Sequence, residues 1–225
     1  PMDEEGVCGV CSELADYSLS YQRSLFPHFV LHDHIHAKNV WDIANKLAGY
    51  FLKSSYTPIS YTLLKCASFL HDIGLALPTG VINKLRLSED DIRGDSPTVL
   101  DDLKSKLGPL YQQYFKGGVL RLPETPDQLQ LDFVGAYVVR KLHPWLGARY
   151  VTDYLPELLK DSSKRETFAG LWNAIAVLVK WHNSNIALRD QVTEIEGGRV
   201  ELGRLATILR LADAVSYTHL TLPAS

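Results

Sequence analysis

Within Phe69-Leu70-His71-Asp72-Ile73-Gly74, a histidine and an aspartate stand side by side at the far end of an apolar run, Leu63, Leu64, Ala67, Phe69 and Leu70. At helical spacing His71 lies on the face of Leu64 and Ala67, the side such a helix buries. A carboxylate at a buried helix end is costly unless something positive pairs with it. A salt bridge or backbone hydrogen bonds meet that need, and so does a metal ion. Gly74 is expected to close the helix as a left-handed C-cap.

The same helical period recurs along the chain. Val40, Ile43, Ala44, Leu47 and Phe51 predict a helix over about 37–53, with His36 one turn before Val40 on the buried stripe. His32, His34 and His36 alternate and share a face if that segment is extended. Pro58-Ile59-Ser60 opens the helix that delivers His71, with Ser60 as the expected N-cap. Phe133, Ala136, Val139 and Leu142 lead into His143, after which Pro144 is expected to break the helix and start another, carrying Trp145, Ala148, Val151 and Leu155. A helix at about 166–182 aligns Phe168, Leu171, Ile175, Leu178 and His182, and one at about 199–214 aligns Leu202, Leu205, Leu209 and Asp213. A short hairpin near 192–200 is the one strand signal. The fold class is all-α.

Between about 78 and 128 the period weakens to short runs, 99–107 and 109–116, among several Pro and Gly. This reads as an insertion over the mouth of a helical core, a lid. The expected organisation is an N-terminal segment, 1–30, truncated upstream, then a helical domain over 31–214. Residues 215–225 closely resemble translated sequencing-adapter sequence and are expected to be a non-native tail, which sets His219 aside.

Composition narrows the function classes. A net charge of -3 over 225 residues gives no electrostatic case for nucleic acid or an acidic membrane. No apolar run approaches the ~20 residues of a bilayer span, and no signal-peptide pattern opens the chain, so a cytoplasmic location is expected. Cys8-Gly-Val-Cys11 has zinc-knuckle or redox spacing, but no second cysteine pair closes a four-ligand site, and reduced thiols are expected.

His36, His71, His182 and Asp213 each fall on the apolar stripe of a predicted helix, at or near its end, and His143 nearly so. Taken singly, each is explained as a hydrogen-bonded core histidine or a salt-bridged carboxylate. Taken together, five helices would each bury a polar residue, with Arg140 and Arg210 as the available counter-charges. One or two divalent ions satisfy the set at once, because imidazole nitrogen and carboxylate oxygen suit borderline first-row metals.

In this order, His36, then His71-Asp72, then Asp213, the residues resemble the HD-domain superfamily of metal-dependent phosphohydrolases over about 30–214. Phe69-Leu70-His71-Asp72-Ile73-Gly74 is similar to its namesake motif. Leu209-Arg210-Leu211-Ala212-Asp213-Ala214 is similar to its final motif, without the second aspartate that normally follows. Val139-Arg140-Lys141-Leu142-His143-Pro144 and Val179-Lys180-Trp181-His182-Asn183 resemble the intermediate histidine motifs of a bacterial subgroup often fused to Hsp90-like ATPase modules. The resemblance implies an HD-domain helical bundle in which His36, His71, Asp72 and Asp213 hold a first metal. His143 and His182 would hold a second, with Asp72 bridging. The chain lacks the Gly-Tyr-Pro that follows His143 in the cyclic-di-GMP phosphodiesterase branch. It also lacks the Glu-Asp pair after His71-Asp72 of the branch that degrades guanosine tetraphosphate.

The expected activity is hydrolysis of a nucleotide or other small phosphoester by metal-activated water, with Asp72 beside the nucleophile. Lys38, Lys141, Lys180 and Arg210 are candidate cations for the phosphoryl group, and His32 and His34 candidate substrate contacts or acids. The metal is one of Mn, Fe, Ni, Co, Zn or Mg. The competing expectation is a metal-bound regulatory or sensor module of a larger multidomain ATPase protein.

Overall fold

The computed structural model describes residues 4–20, 33–123, 133–158, 168–183, 191–195 and 197–221. It is a helical bundle with two small antiparallel hairpins. In chain order come α1 (Glu4–Ser20), α2 (His34–Phe51), a 3₁₀ turn (Lys53–Ser55), α3 (Pro58–Leu70) and a second 3₁₀ turn (Ile73–Leu75). α4 (Thr79–Leu85), α5 (Glu89–Asp95), α6 (Pro97–Leu107), α7 (Tyr111–Tyr114) and the hairpin β1 (Phe115–Lys116)–β2 (Val119–Leu120) make up the excursion. α8 (Phe133–Asp153), α9 (Leu155–Leu158), α10 (Ala169–Trp181), the hairpin β3 (Val192–Ile195)–β4 (Gly198–Glu201) and α11 (Leu202–Thr221) complete the described chain.

Local chemistry sets the helix starts. Asp33 caps α2 by accepting from the His36 amide at 3.0 Å, so the helix begins at His34, three residues before the expected boundary. His34 and His36 are therefore helical rather than extended. His36 turns into the core at 1% exposure, while His34 stays outside near Asp16. Thr57, not Ser60, caps α3: its Oγ1 accepts from the Ser60 amide at 3.3 Å, and Pro58 fills the first turn, where a missing N–H costs nothing.

α1 has the spacing Val7, Cys11, Ala15, Leu19, all buried, and packs on α3. α2 packs against α3 and α11, and α10 against α3, α8 and α11. The excursion is itself packed, with Ile82, Leu87, Ile92, Leu100 and Leu103 each at most 1% exposed. Its helices of four to eleven residues are too short to print a long periodic pattern. All three cysteines are buried thiols outside any disulfide. No helix among the described residues is long and apolar enough to cross a membrane.

Other sequence expectations change as well. Gly74 does not cap a helix with positive φ; α3 ends on right-handed His71, and Gly74 lies inside the second 3₁₀ turn. What it provides is room. A Cβ there would collide with the backbone carbonyl of His143 and come within 2.9 Å of the Gly147 amide nitrogen. Another change is α8, which runs unbroken through Pro144. Helix 11 likewise continues past residue 214 to Thr221, with Ser216 buried.

Candidate metal centre

The cluster is assembled from side chains at helix ends, beside one internal proline and, for Asp213, in the interior of α11 rather than near its expected end. His71 and His182 are the C-cap residues of α3 and α10, where the last carbonyls lack amide donors from their own helix. Each ring folds back onto one of them. His71 Nδ1 donates to the Ser68 carbonyl at 2.8 Å and His182 Nδ1 to the Val179 carbonyl at 2.5 Å.

His143 reaches the same arrangement inside a helix. Pro144 has no N–H to offer the carbonyl of Arg140, its partner in a regular helix. His143 Nδ1 donates to that carbonyl instead, at 2.6 Å. The His-Pro pair thus explains both why the helix survives and how the ring is oriented.

A carbonyl can only accept, so Nδ1 carries the proton in all three rings and Nε2, when the ring is neutral, is an acceptor. These acceptors converge. His143 Nε2 and His182 Nε2 face each other at 3.1 Å, and His36 Nε2 and His71 Nε2 at 3.3 Å. Asp72 lies between the pairs. Its Oδ2 is 3.0 Å from His71 Nε2 and 3.6 Å from His36 Nε2. Its Oδ1 is 3.4 Å from His143 Nε2 and 3.7 Å from His182 Nε2. Asp213 Oδ1 joins the first pair, 3.1 Å from His36 and 3.6 Å from His71. His36 Nδ1 is held from the far side by the buried Ser216 hydroxyl at 3.3 Å.

Electrostatics identify what the cluster needs. Burial disfavours a charged His71, but the carboxylates of Asp72 and Asp213 outweigh it and hold its pKa well above the ordinary value. Burial opposes ionisation of Asp213 too, yet the His36 and His71 rings beside its Oδ1 hold it well below the usual carboxylate range. Burial, then His143 and His71, push His182 down to about 3, so that ring stays neutral. At the first pair the two carboxylates favour positive charge beside His36 and His71. At the second pair, two imidazole acceptors and a carboxylate oxygen converge. That donor set fits a divalent cation, and His36, His71 and Asp72 form one group of metal-ligand geometry, with Asp72, His143 and His182 forming another. Asp213 Oδ1, buried without a well-aligned hydrogen-bond donor, points the same way.

The six sequence-predicted ligands are thus brought together, while two of the four predicted cations turn to other carboxylates. Lys141 pairs with Asp102 at 3.0 Å and Lys180 with Asp95 at 2.9 Å. Lys38 is exposed on α2, and Arg210 is half-buried on α11, three residues before Asp213. His34 sits beside Asp16, and His32 lies outside the described residues. Sequence reasoning missed the orienting groups: the carbonyls at 68, 140 and 179, Pro144, and Ser216. The His-Pro adjacency was the one legible signal among them.

The sequence model of the HD-CE family matches residues 26–224. Comparison with curated proteins and with solved structures gives no match.

Proposed function

Because the chain belongs to the HD-CE family and carries a buried HD-type histidine–aspartate cluster, we propose that it is a metal-dependent phosphohydrolase acting on a nucleotide or other small phosphoester. The observation that carries this reading is Asp72, whose two carboxylate oxygens are directed at different histidine pairs. In this reading His36, His71, Asp72 and Asp213 hold one divalent ion, and Asp72, His143 and His182 a second. Such ions supply Lewis acidity, lowering the pKa of bound water from ~15.7 to about 7.

The chain's own residues supply position. The Nδ1–carbonyl bonds hold His71, His143 and His182 in one tautomer, with Nε2 toward the centre. Asp72, at the shared point and 4% exposed, would stand beside the attacking water, in a setting where bulk solvent no longer weakens charge–charge interactions. Lys141 and Lys180 are engaged elsewhere. Arg210 remains as the cation for the phosphoryl oxygens: it lies three residues before Asp213 on α11, one turn along the same helix.

The test is elemental analysis of reconstituted protein together with turnover of a panel of nucleotides and p-nitrophenyl esters. Wild type binds metal and hydrolyses a member of the panel. Asp72→Ala loses both, and Arg210→Ala keeps its metal while losing turnover. Full metal content in Asp72→Ala sinks the ligand assignment, and metal-loaded wild type inert across the panel sinks the hydrolase reading.

A further inference from the structure

On the other side of the helices that carry His143 and His182 lies a cavity of about 360 Å³, within the range of small-molecule sites. Trp145 and Lys180 line it, each two residues from a histidine of the second pair and so turned away from the metal centre. Its apolar part comes from Trp145, Ala148, Ala176 and Val177, on facing stripes of α8 and α10. Its charged part is divided by element. The cations, Arg149 and Lys180, stand on those two long helices; the acids, Asp91 and Asp95, stand on the seven-residue α5 that flanks them.

The two ion pairs are not equivalent. Asp91 is built into the capping box of α5, accepting from the Ser88 amide and hydroxyl, as well as from Arg149 Nη2 at 2.9 Å. Asp95 has no such role. It is the last residue of α5, where the helix dipole disfavours a carboxylate. Trp145 Nε1 at 3.2 Å and Lys180 Nζ at 2.9 Å are what hold it. Lys180 therefore has an exchangeable anion, with two further ammonium donors available. Arg149 engages Asp91 through Nη2 and lies 3.7 Å from Asp153 through Nη1, so it adds positive charge to the wall while Lys180 carries the exchangeable contact. The Asn173 side chain is exposed on the same wall.

We propose that this cavity is a second binding site, for a small phosphorylated molecule with an apolar or aromatic body, whose phosphate displaces Asp95 from Lys180 while the body rests against Trp145. Fixed cations over an apolar floor, covered by a removable carboxylate, are the complement of such a ligand. The site is independent of the hydrolytic reading, and its position behind His143 and His182 suits an effector.

The probe is 1-naphthylmethylphosphonate, which resists phosphoester hydrolysis, titrated calorimetrically into the full chain with and without chelator. Binding is expected to persist in chelator. Asp95→Asn, which keeps an acceptor for Trp145 but removes the competing charge, tightens it about threefold, and Lys180→Met weakens it about tenfold. Metal content and melting temperature of Asp95→Asn stay at wild-type levels, which keeps the result interpretable even if Lys180→Met folds poorly. Binding that is unchanged or weaker in Asp95→Asn overturns the proposal, as does equally tight binding of 1-naphthylmethanol. Binding abolished by chelator also overturns it, while leaving the metal-centre reading intact.

Discussion

Each histidine of the second pair combines a ring held by a backbone carbonyl with a nitrogen aimed at its neighbour. Pro144 matters here for what it lacks. Replacing it by alanine restores an N–H that competes with the His143 ring for the Arg140 carbonyl. Removing proline from a helix interior relieves a penalty of about 3 kcal/mol. Pro144→Ala is therefore expected to melt no lower than wild type, yet to bind metal at the His143/His182 pair at least about tenfold more weakly. Equal metal affinity by calorimetry would show that the proline does not orient the ring. Little of this is visible in a list of polar residues: His143 and Pro144 are adjacent in sequence, but the freed carbonyl is defined only once the helix is known to continue.

At the scale of elements, the turn after α3 and helix α8 approach closely enough that neither can carry a side chain at the contact. Gly147 faces Ile73 and Val179, with a built Cβ only 3.0 Å from the Val179 side chain, and Gly74 meets the backbone around His143. The turn that presents Asp72 and the helix that presents His143 are thus placed by two glycines. Gly74→Ala, an overpacking change against backbone that cannot rotate aside, is expected to cost about 2–3 kcal/mol. It should also push His143 away from His182, lowering metal capacity at that pair while sparing His36 and His71. A melting curve and metal titration check this; wild-type values in both would mean that the contact relaxes freely. The sequence pattern pointed to a glycine at this position and attached the wrong reason to it, because left-handed capping is a local property and close approach is not.

At the scale of the whole molecule, the candidate ligands come from α2, the α3–turn junction, α8, α10 and α11, which lie up to 177 positions apart, His36 to Asp213. A cation bound there links every long helix of the core except α1. Metal at about one hundred times its dissociation constant adds about 2.7 kcal/mol to stability. For a domain of this size that raises the melting temperature by about 5–10 °C. Scanning calorimetry with and without chelator measures it. No difference after reconstitution would mean that the cluster is a hydrogen-bonded core and not a metal site.

The sequence by itself determined the all-α class, the apolar stripes, and the identity of the six polar residues set into them. Those follow from local periodicity and from the rarity of buried polar groups at helix ends. Only the tertiary structure decided that both oxygens of Asp72 are used, that Lys141 and Lys180 turn to Asp102 and Asp95, and that a proline and two glycines govern the geometry. Ring orientation, ion-pair choice and backbone approach depend on distances between segments remote in the chain, and no periodicity within one segment encodes them.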